Sequence, residues 1–209
     1  MNVKNPPLNI VLPLTLEGSI VRLEPVRREH AHLFWDVSKN DLEDIFRWIP
    51  YSMKTREDFE LLVEKALSEQ EGGESVVFTT VERSTGRSIG STRFMNIDRA
   101  NRRVEIGSTW IAKLWQRTAV NTEAKYLMLR HAFETWGCAR VELKTDALNE
   151  KSRNAILRIG AKEEGTLRRH VVTWTGRIRD SVYFSILDDE WPQVKARLEE
   201  KLRTGAGAK

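Results

Sequence analysis

A chain of 209 residues, 40% hydrophobic and 31% charged, is expected to fold as one soluble globular domain with a sizeable core. Its 34 basic and 30 acidic residues are interspersed and leave a net charge of only +4, so a sequence pI near 9.3 carries no nucleic-acid footprint. No apolar run approaches the roughly 20 residues that span a bilayer, so no membrane partner is expected. Met1 to Pro7 lacks the basic-then-apolar order of a secretory leader, and the single Cys138 excludes an internal disulfide, which fits a reducing, cytoplasmic setting.

Residues 1–15 are Pro-rich and read as an irregular segment over the surface. From Ser19 to Glu24, Ile20 and Arg22 alternate with Val21 and Leu23, which predicts a strand. His30, Leu33, Phe34 and Val37 mark a helix, and Leu42, Ile45 and Phe46 a short second one. Trp48-Ile49-Pro50-Tyr51 breaks it, because proline disfavours helix in the residue before it. Thr55 can cap a third helix with Phe59, Leu62, Val63, Ala66 and Leu67 on its apolar face, ended by Gly72-Gly73. Strands follow from Ser75 to Glu82, Ser88 to Asp98 and Arg102 to Ile111.

A helix to about Trp136 comes next. Its face is Val120, Ala124, Leu127, Met128, His131 and Thr135, and Gly137 is a natural residue just past its end. Arg140 to Ala147 reads as a strand, and Glu150 to Ile159 as a helix stopped by Gly160. Lys162 to Trp174 and Arg177 to Leu187 read as a hairpin. A last helix turns Trp191, Val194, Leu198 and Leu202 inward, and residues 204–209 form a flexible tail. The order predicts a mixed α/β layer structure of residues 16–203, flanked by helices, in which the two strands joined by the Val120 helix run parallel.

The stretch Trp115-Gln116-Arg117-Thr118-Ala119-Val120-Asn121-Thr122 joins a strand to that helix. A small, polar loop opening into a helix leaves backbone N–H groups without helical partners, and with the helix dipole they suit a phosphate. The plain alternative is an ordinary connection with an N-cap at Asn121 or Thr122. A second stretch, Leu148-Asn149-Glu150-Lys151-Ser152, places Asn149 as an N-cap and Ser152 on the face of Ile156 and Ile159. The plain alternative there is a serine bonded to its own helix backbone.

Gln116-x-x-Ala119-x-Asn121 resembles the Arg/Gln-x-x-Gly-x-Gly/Ala signature of GNAT acetyltransferases, which binds the pyrophosphate of acetyl-CoA. Asn121 to Lys125 and Asn149-x-x-Ser152 are similar to the ribosomal-protein (Rim-type) N-acetyltransferase branch. The resemblance runs from about Leu16 to Leu187 and implies a largely antiparallel twisted sheet with a central parallel strand pair. It departs at Ala119 and Asn121, where both signature glycines are replaced. Each added Cβ limits the approach of a phosphate and disfavours positive φ; Ala is small and Asn tolerates left-handed geometry.

The resemblance implies roles. Gln116, Arg117, Thr118, Ala119, Val120, Asn121 and Thr122 would hold the pyrophosphate. N–H groups near Trp110 and Ile111 would polarise the thioester carbonyl. Asn149 would bond the pantetheine arm, and Ser152 would donate to the departing thiolate. Glu105 is a candidate general base, directly or through water, against the alternative of a surface carboxylate paired to Arg103 or Arg140. Arg117, Lys125 and Arg153 could neutralise phosphates, with solvated surface charge as the alternative. Trp48 and Tyr51 could line the acceptor entrance. No metal is expected, because the four histidines and Cys138 lack ligand spacing.

The implied activity is acetyl transfer from acetyl-CoA to a primary amine in a ternary complex, with a protein N-terminal α-amine as the favoured acceptor and a monomer or homodimer as the working unit. The alternatives are a small-amine acetyltransferase (polyamine, amino acid or aminoglycoside) and a non-catalytic CoA-binding module.

Overall fold

The computed structural model describes Leu8, Ile10 and residues 12–205. Residues 1–7, 9 and 11, and the tail residues 206–209, lie outside it. In the N-terminal segment Leu8 is buried, with its N–H bonded to the Arg99 carbonyl, so that part of the segment joins the core instead of lying over the surface.

One eight-stranded sheet runs through the molecule. Its strands are β1 (Leu16–Glu17), β2 (Val21–Pro25), β3 (Val76–Glu82), β4 (Ser88–Asp98), β5 (Arg103–Ile111), β6 (Arg140–Asp146), β7 (Lys162–Val172) and β8 (Ile178–Leu187). Their order is β1-β2-β3-β4-β5-β6-β8-β7, antiparallel throughout except for the β5–β6 pair. That mixed α/β arrangement is the one expected. The two-residue β1 was not, because a strand so short carries no period to read.

Helices cover both faces. α1 (His30–Ser38), α2 (Leu42–Phe46) and α3 (Arg56–Glu71) close one core, where Trp110 of β5 packs edge-on to Phe34 at 5.1 Å and against Phe46 at 5.2 Å. α4 (Val120–Arg130), α5 (Glu150–Arg158) and α6 (Trp191–Arg203) close the larger core around Phe94, Ile106, Leu127, Met128, Phe184 and Leu198. α3 starts where its capping box requires. The Thr55 hydroxyl accepts from the Asp58 N–H at 3.3 Å, and the Asp58 carboxylate accepts from the Thr55 N–H at 2.9 Å.

Two differences from the sequence reading have physical causes. β2 begins at Val21, not Ser19, because the amides of Ser19, Ile20 and Val21 donate to the Glu123 carboxylate at 2.9, 2.6 and 2.7 Å. A side chain at the start of α4 thus takes the place of a strand partner for that turn. The α4 face also shifts by one residue at its end. After Arg130 the chain takes a π turn from His131 to Thr135, so Ala132, Phe133 and Trp136 are buried while Thr135 is exposed. The wider π turn rotates the apolar stripe away from the α period. Gly137, at φ +69°, then closes the element as expected.

Candidate active site

β5 and β6 pair only from Arg103–Arg140 to Glu105–Glu142. Beyond that, β5 stays with β4 as far as Ile111 and β6 stays with β8 as far as Asp146. The sheet therefore parts at its one parallel pair into a wedge with Glu105 at the apex. α4 follows β5 and α5 follows β6, so both motif stretches stand at the carboxyl ends of the parting strands. Ligands of open α/β sheets bind at such a place, because helix starts converge there and no ladder fills the gap.

The loop between β5 and α4 is pinned by its own side chains. Gln116 Nε2 donates to the Ile111 carbonyl at 3.0 Å, the Thr118 hydroxyl donates to the Trp115 carbonyl at 2.7 Å, and the Val120 N–H reaches Thr118 Oγ1 at 3.3 Å. α4 takes its N-cap at Ala119, not at Asn121 or Thr122, which lie inside the first turn. The Glu123 N–H bonds to the Ala119 carbonyl, while the amides of Asn121 and Thr122 donate to no acceptor among the described residues. The left-handed position of the loop is Arg117, at φ +61°, whereas Ala119 is right-handed at φ −71°. The backbone objection to Ala119 and Asn121 in place of glycine therefore falls; only the bulk of their Cβ atoms remains.

The end of β5 is asymmetric. The Ala112 N–H donates to the Ile89 carbonyl on the β4 side. Ladder alternation turns the Trp110 amide the same way and the Ile111 amide into the wedge, so of the two expected oxyanion donors only Ile111 has its N–H on the open side. The Trp110 indole is buried in the α1–α3 core, and its Nε1 has no partner among the described residues. Between the apex and this end β5 bulges, with Ser108 at φ +47°.

Glu105 is not a surface carboxylate and bonds neither Arg103 nor Arg140. It is 1% exposed, and its Oε2 accepts from Asn96 Nδ2 at 2.8 Å and Lys144 Nζ at 3.1 Å. Its Oε1 is buried without a partner among the described residues. Arg103 is taken up by Asp98 and Glu142, and Arg140 by Glu142 and Glu164.

On the other flank, Asn149 caps α5 by accepting from the Ser152 N–H at 3.1 Å, and its Nδ2 has no partner among the described residues. Ser152 is half-buried, and its hydroxyl makes no bond to its own helix. Asp146 fixes this corner. Its Oδ1 accepts from the Leu148 N–H at 3.0 Å, and its Oδ2 pairs with Arg177 and, at 3.9 Å, with Arg179 of β8. Neither Asp146 nor Glu123 was singled out from the sequence. A lone acidic residue in a strand or a first helical turn has no pattern that reveals its long-range partner.

The α2–α3 segment and the β7–β8 hairpin meet over the wedge. The Trp174 N–H donates to the Pro50 carbonyl at 3.0 Å, Lys54 Nζ stands 4.6 Å from the Trp174 ring, and Arg177 stands 5.7 Å from the Trp48 ring. Tyr51 lines a small cavity with Arg93, Ser108 and Trp110, and burial pushes its hydroxyl pKa up. Of the three cations expected near phosphates, Arg117 is exposed and makes no ion pair among the described residues, and Arg153 pairs with Glu163 at 3.2 Å. Lys125 is neither a phosphate ligand nor a solvated charge: it is buried between α4 and the sheet. Burial pushes the Cys138 thiol up to about 12, which keeps it from serving as a nucleophile at neutral pH. Among the described residues no group of three or more His, Cys, Asp or Glu could hold a metal, and no helix is long and apolar enough to cross a membrane.

A mixed sheet that opens at its single parallel pair, with a helix start at the end of each parting strand, is the architecture of an N-acetyltransferase. Comparison with known proteins agrees. Residues 21–162 match the acetyltransferase (GNAT) domain. A GCN5-related N-acetyltransferase from Brucella melitensis is 32% identical and superposes with a TM-score of 0.86 over 95% of this chain and 90% of that one. An acetyltransferase structure from T. thermophilus is 33% identical, with a TM-score of 0.81 over 93% of this chain and 100% of that one. The Bacillus subtilis protein named "Putative ribosomal N-acetyltransferase YdaF" is 38% identical over 110 residues, which are 53% of this chain and 59% of that protein. The chain belongs to the GNAT acetyltransferase family and is an acyltransferase enzyme.

Proposed function

We propose that the protein transfers an acetyl group from acetyl-CoA to a primary amine, with a protein N-terminal α-amine as the favoured acceptor. The observation that carries this reading is the wedge between β5 and β6, open from Ile106 to Ile111, with α4 and α5 starting at its two rims. The donor set fits the cosubstrate. Unpartnered amides at Asn121 and Thr122, with the Arg117 guanidinium beside them, suit a pyrophosphate. The Ile111 amide would polarise the thioester carbonyl, Asn149 Nδ2 would hold the pantetheine arm, and the Ser152 hydroxyl would donate to the leaving sulphur. Glu105 Oε1, at the apex, would take the proton shed by the attacking amine, directly or through water. An amine attacking directly needs no acyl-enzyme, which agrees with a buried, protonated Cys138.

The name of the Bacillus subtilis relative supports a ribosomal-protein N-terminus over a small amine. The test is a calorimetric titration with acetyl-CoA, followed by thiol-release assays with N-terminal peptides, a polyamine and an aminoglycoside. One site per chain at micromolar affinity and turnover of a peptide are the expected results. Turnover of a small amine alone would move the acceptor class, and binding without turnover of any amine would leave a CoA-binding module. The same runs at two protein concentrations in a sizing column distinguish monomer from homodimer.

A further inference from the structure

α4 carries one charge that this scheme does not use. Lys125 is 5% exposed and has no carboxylate partner among the described residues. Its Nζ donates to Thr109 Oγ1 of β5 at 2.6 Å and to Thr92 Oγ1 of β4 at 3.2 Å, and the two hydroxyls lie 2.7 Å apart. An ammonium without a counter-charge is costly to bury, and such groups cluster where a negative charge develops in function.

The placement says where. Thr109 belongs to the part of β5 that has left β6, next to the bulge at Ser108 and two residues before the Ile111 amide. With its oxygen accepting from Lys125, the Thr109 hydroxyl directs its own proton elsewhere. The acceptor in reach besides Thr92 is the Gly107 carbonyl of the same bulge, at a long 3.4 Å. Among the described residues no other charge faces the ammonium. From β4 it meets Thr92; Arg93 is turned to Glu69 of α3 on the far face of the sheet. From β5 it meets Thr109, while Glu105 is turned to Lys144 and Asn96. Within α4, the Glu123 carboxylate is occupied by the amides of Ser19 to Val21. Burial accordingly lowers the Lys125 pKa to about 7, with no charged partner to raise it again.

We propose that Lys125, acting through the Thr109 hydroxyl, is a positioning residue for thioester cleavage: it orients the Thr109 proton toward the sulphur end of a bound CoA thioester and supplies the positive charge that a forming thiolate lacks. This rests on the acetyl-transfer reading above. In the transfer the amine nitrogen bonds to the acetyl carbon, the C–S bond breaks, and its electron pair stays on sulphur. The proton shed by the amine ends on the thiol, so Lys125 gives up no proton overall; it stabilises the sulphur while the charge is there.

The test uses the whole chain and two variants. CoA is titrated at pH 8 into wild type and Lys125→Met, each in two buffers of different ionisation enthalpy. The wild type is expected to take up a proton on binding, seen as buffer-dependent heat, and Lys125→Met is not, while their affinities agree within about threefold. With the acceptor found by the screen, Lys125→Met should lose tenfold or more in kcat with little change in KM, together with the alkaline limb of its pH profile. Thr109→Val should show the same kcat loss, and Thr109→Ser should restore it. Buffer-independent heat in the wild type, or a Lys125→Met enzyme with wild-type kcat and pH profile, would overturn the proposal. So would equal losses of kcat and CoA affinity, which mark a merely structural lysine. If neither CoA nor acetyl-CoA binds the wild type, it is the acetyl-transfer reading that fails, and this inference goes with it.

Discussion

At the scale of single residues, the loop before α4 concentrates its strain in one place. A non-glycine residue in the left-handed region costs about 1 kcal/mol, and Arg117 occupies it at φ +61°. Arg117→Gly should therefore raise stability by about 1 kcal/mol in denaturant melts while weakening acetyl-CoA binding several-fold in calorimetry. A variant that binds as well as wild type would remove Arg117 from the phosphate site. Ser152 makes the opposite kind of prediction. Its hydroxyl bonds no partner among the described residues, so Ser152→Ala should leave the melting temperature in place and lower kcat by roughly tenfold or more, beyond any effect on CoA affinity. Equal loss of both would make it a binding residue.

At the scale of elements, α4 is held by a carboxylate and carries a buried amine. Glu123 satisfies three backbone amides of the turn before β2, so Glu123→Ala should cost about 2–4 kcal/mol of stability, read as a lower urea midpoint. A Cβ at Gly18 would strike that same carboxylate, and Gly18→Ala should destabilise by the same route. Lys125 acts in the other direction. Its folded pKa, near 7, is below its ordinary value of 10.5, so the unfolded chain binds more protons between these pH values. The penalty is fully present below about pH 7 and fades as pH rises toward 10.5. Lys125→Met should therefore stabilise the protein by a few kcal/mol at pH 7 and by little near pH 10, measured as melting temperatures across that range. A difference that stays constant with pH would mean that burial leaves the amine's affinity for its proton unchanged.

At the scale of the whole molecule, the wedge stays open because each strand has a firmer partner elsewhere: β5 keeps β4 and β6 keeps β8. α2 then bridges the two rims. Asp44 pairs with Lys113, just past β5, at 3.7 Å and with Lys151 of α5 at 3.8 Å, and Asp41 pairs with Lys113 at 3.1 Å. These are exposed pairs, so Asp44→Ala should barely move the melting temperature. It should instead speed CoA release in stopped flow, and added salt should erase the difference from wild type.

Much of this was legible in the chain. Capping at Thr55, the glycine stops and the alternation of apolar residues at strand and helix periods located almost every element, because those signals are local and each residue carries its own share. The Gln116 and Asn149 stretches likewise fall at the ends of adjacent parallel strands, as a helical crossover requires. Tertiary structure alone decided what depended on a partner far along the chain. Glu123 reaches back across a hundred residues to Ser19–Val21, Glu105 is buried between Asn96 and Lys144, and Lys125 is packed against two threonines instead of facing water. A charged side chain has the same letter in solvent and in a core. Only the packing of α4 and the neighbouring strands around it sets its dielectric and its partners, and hence its chemistry.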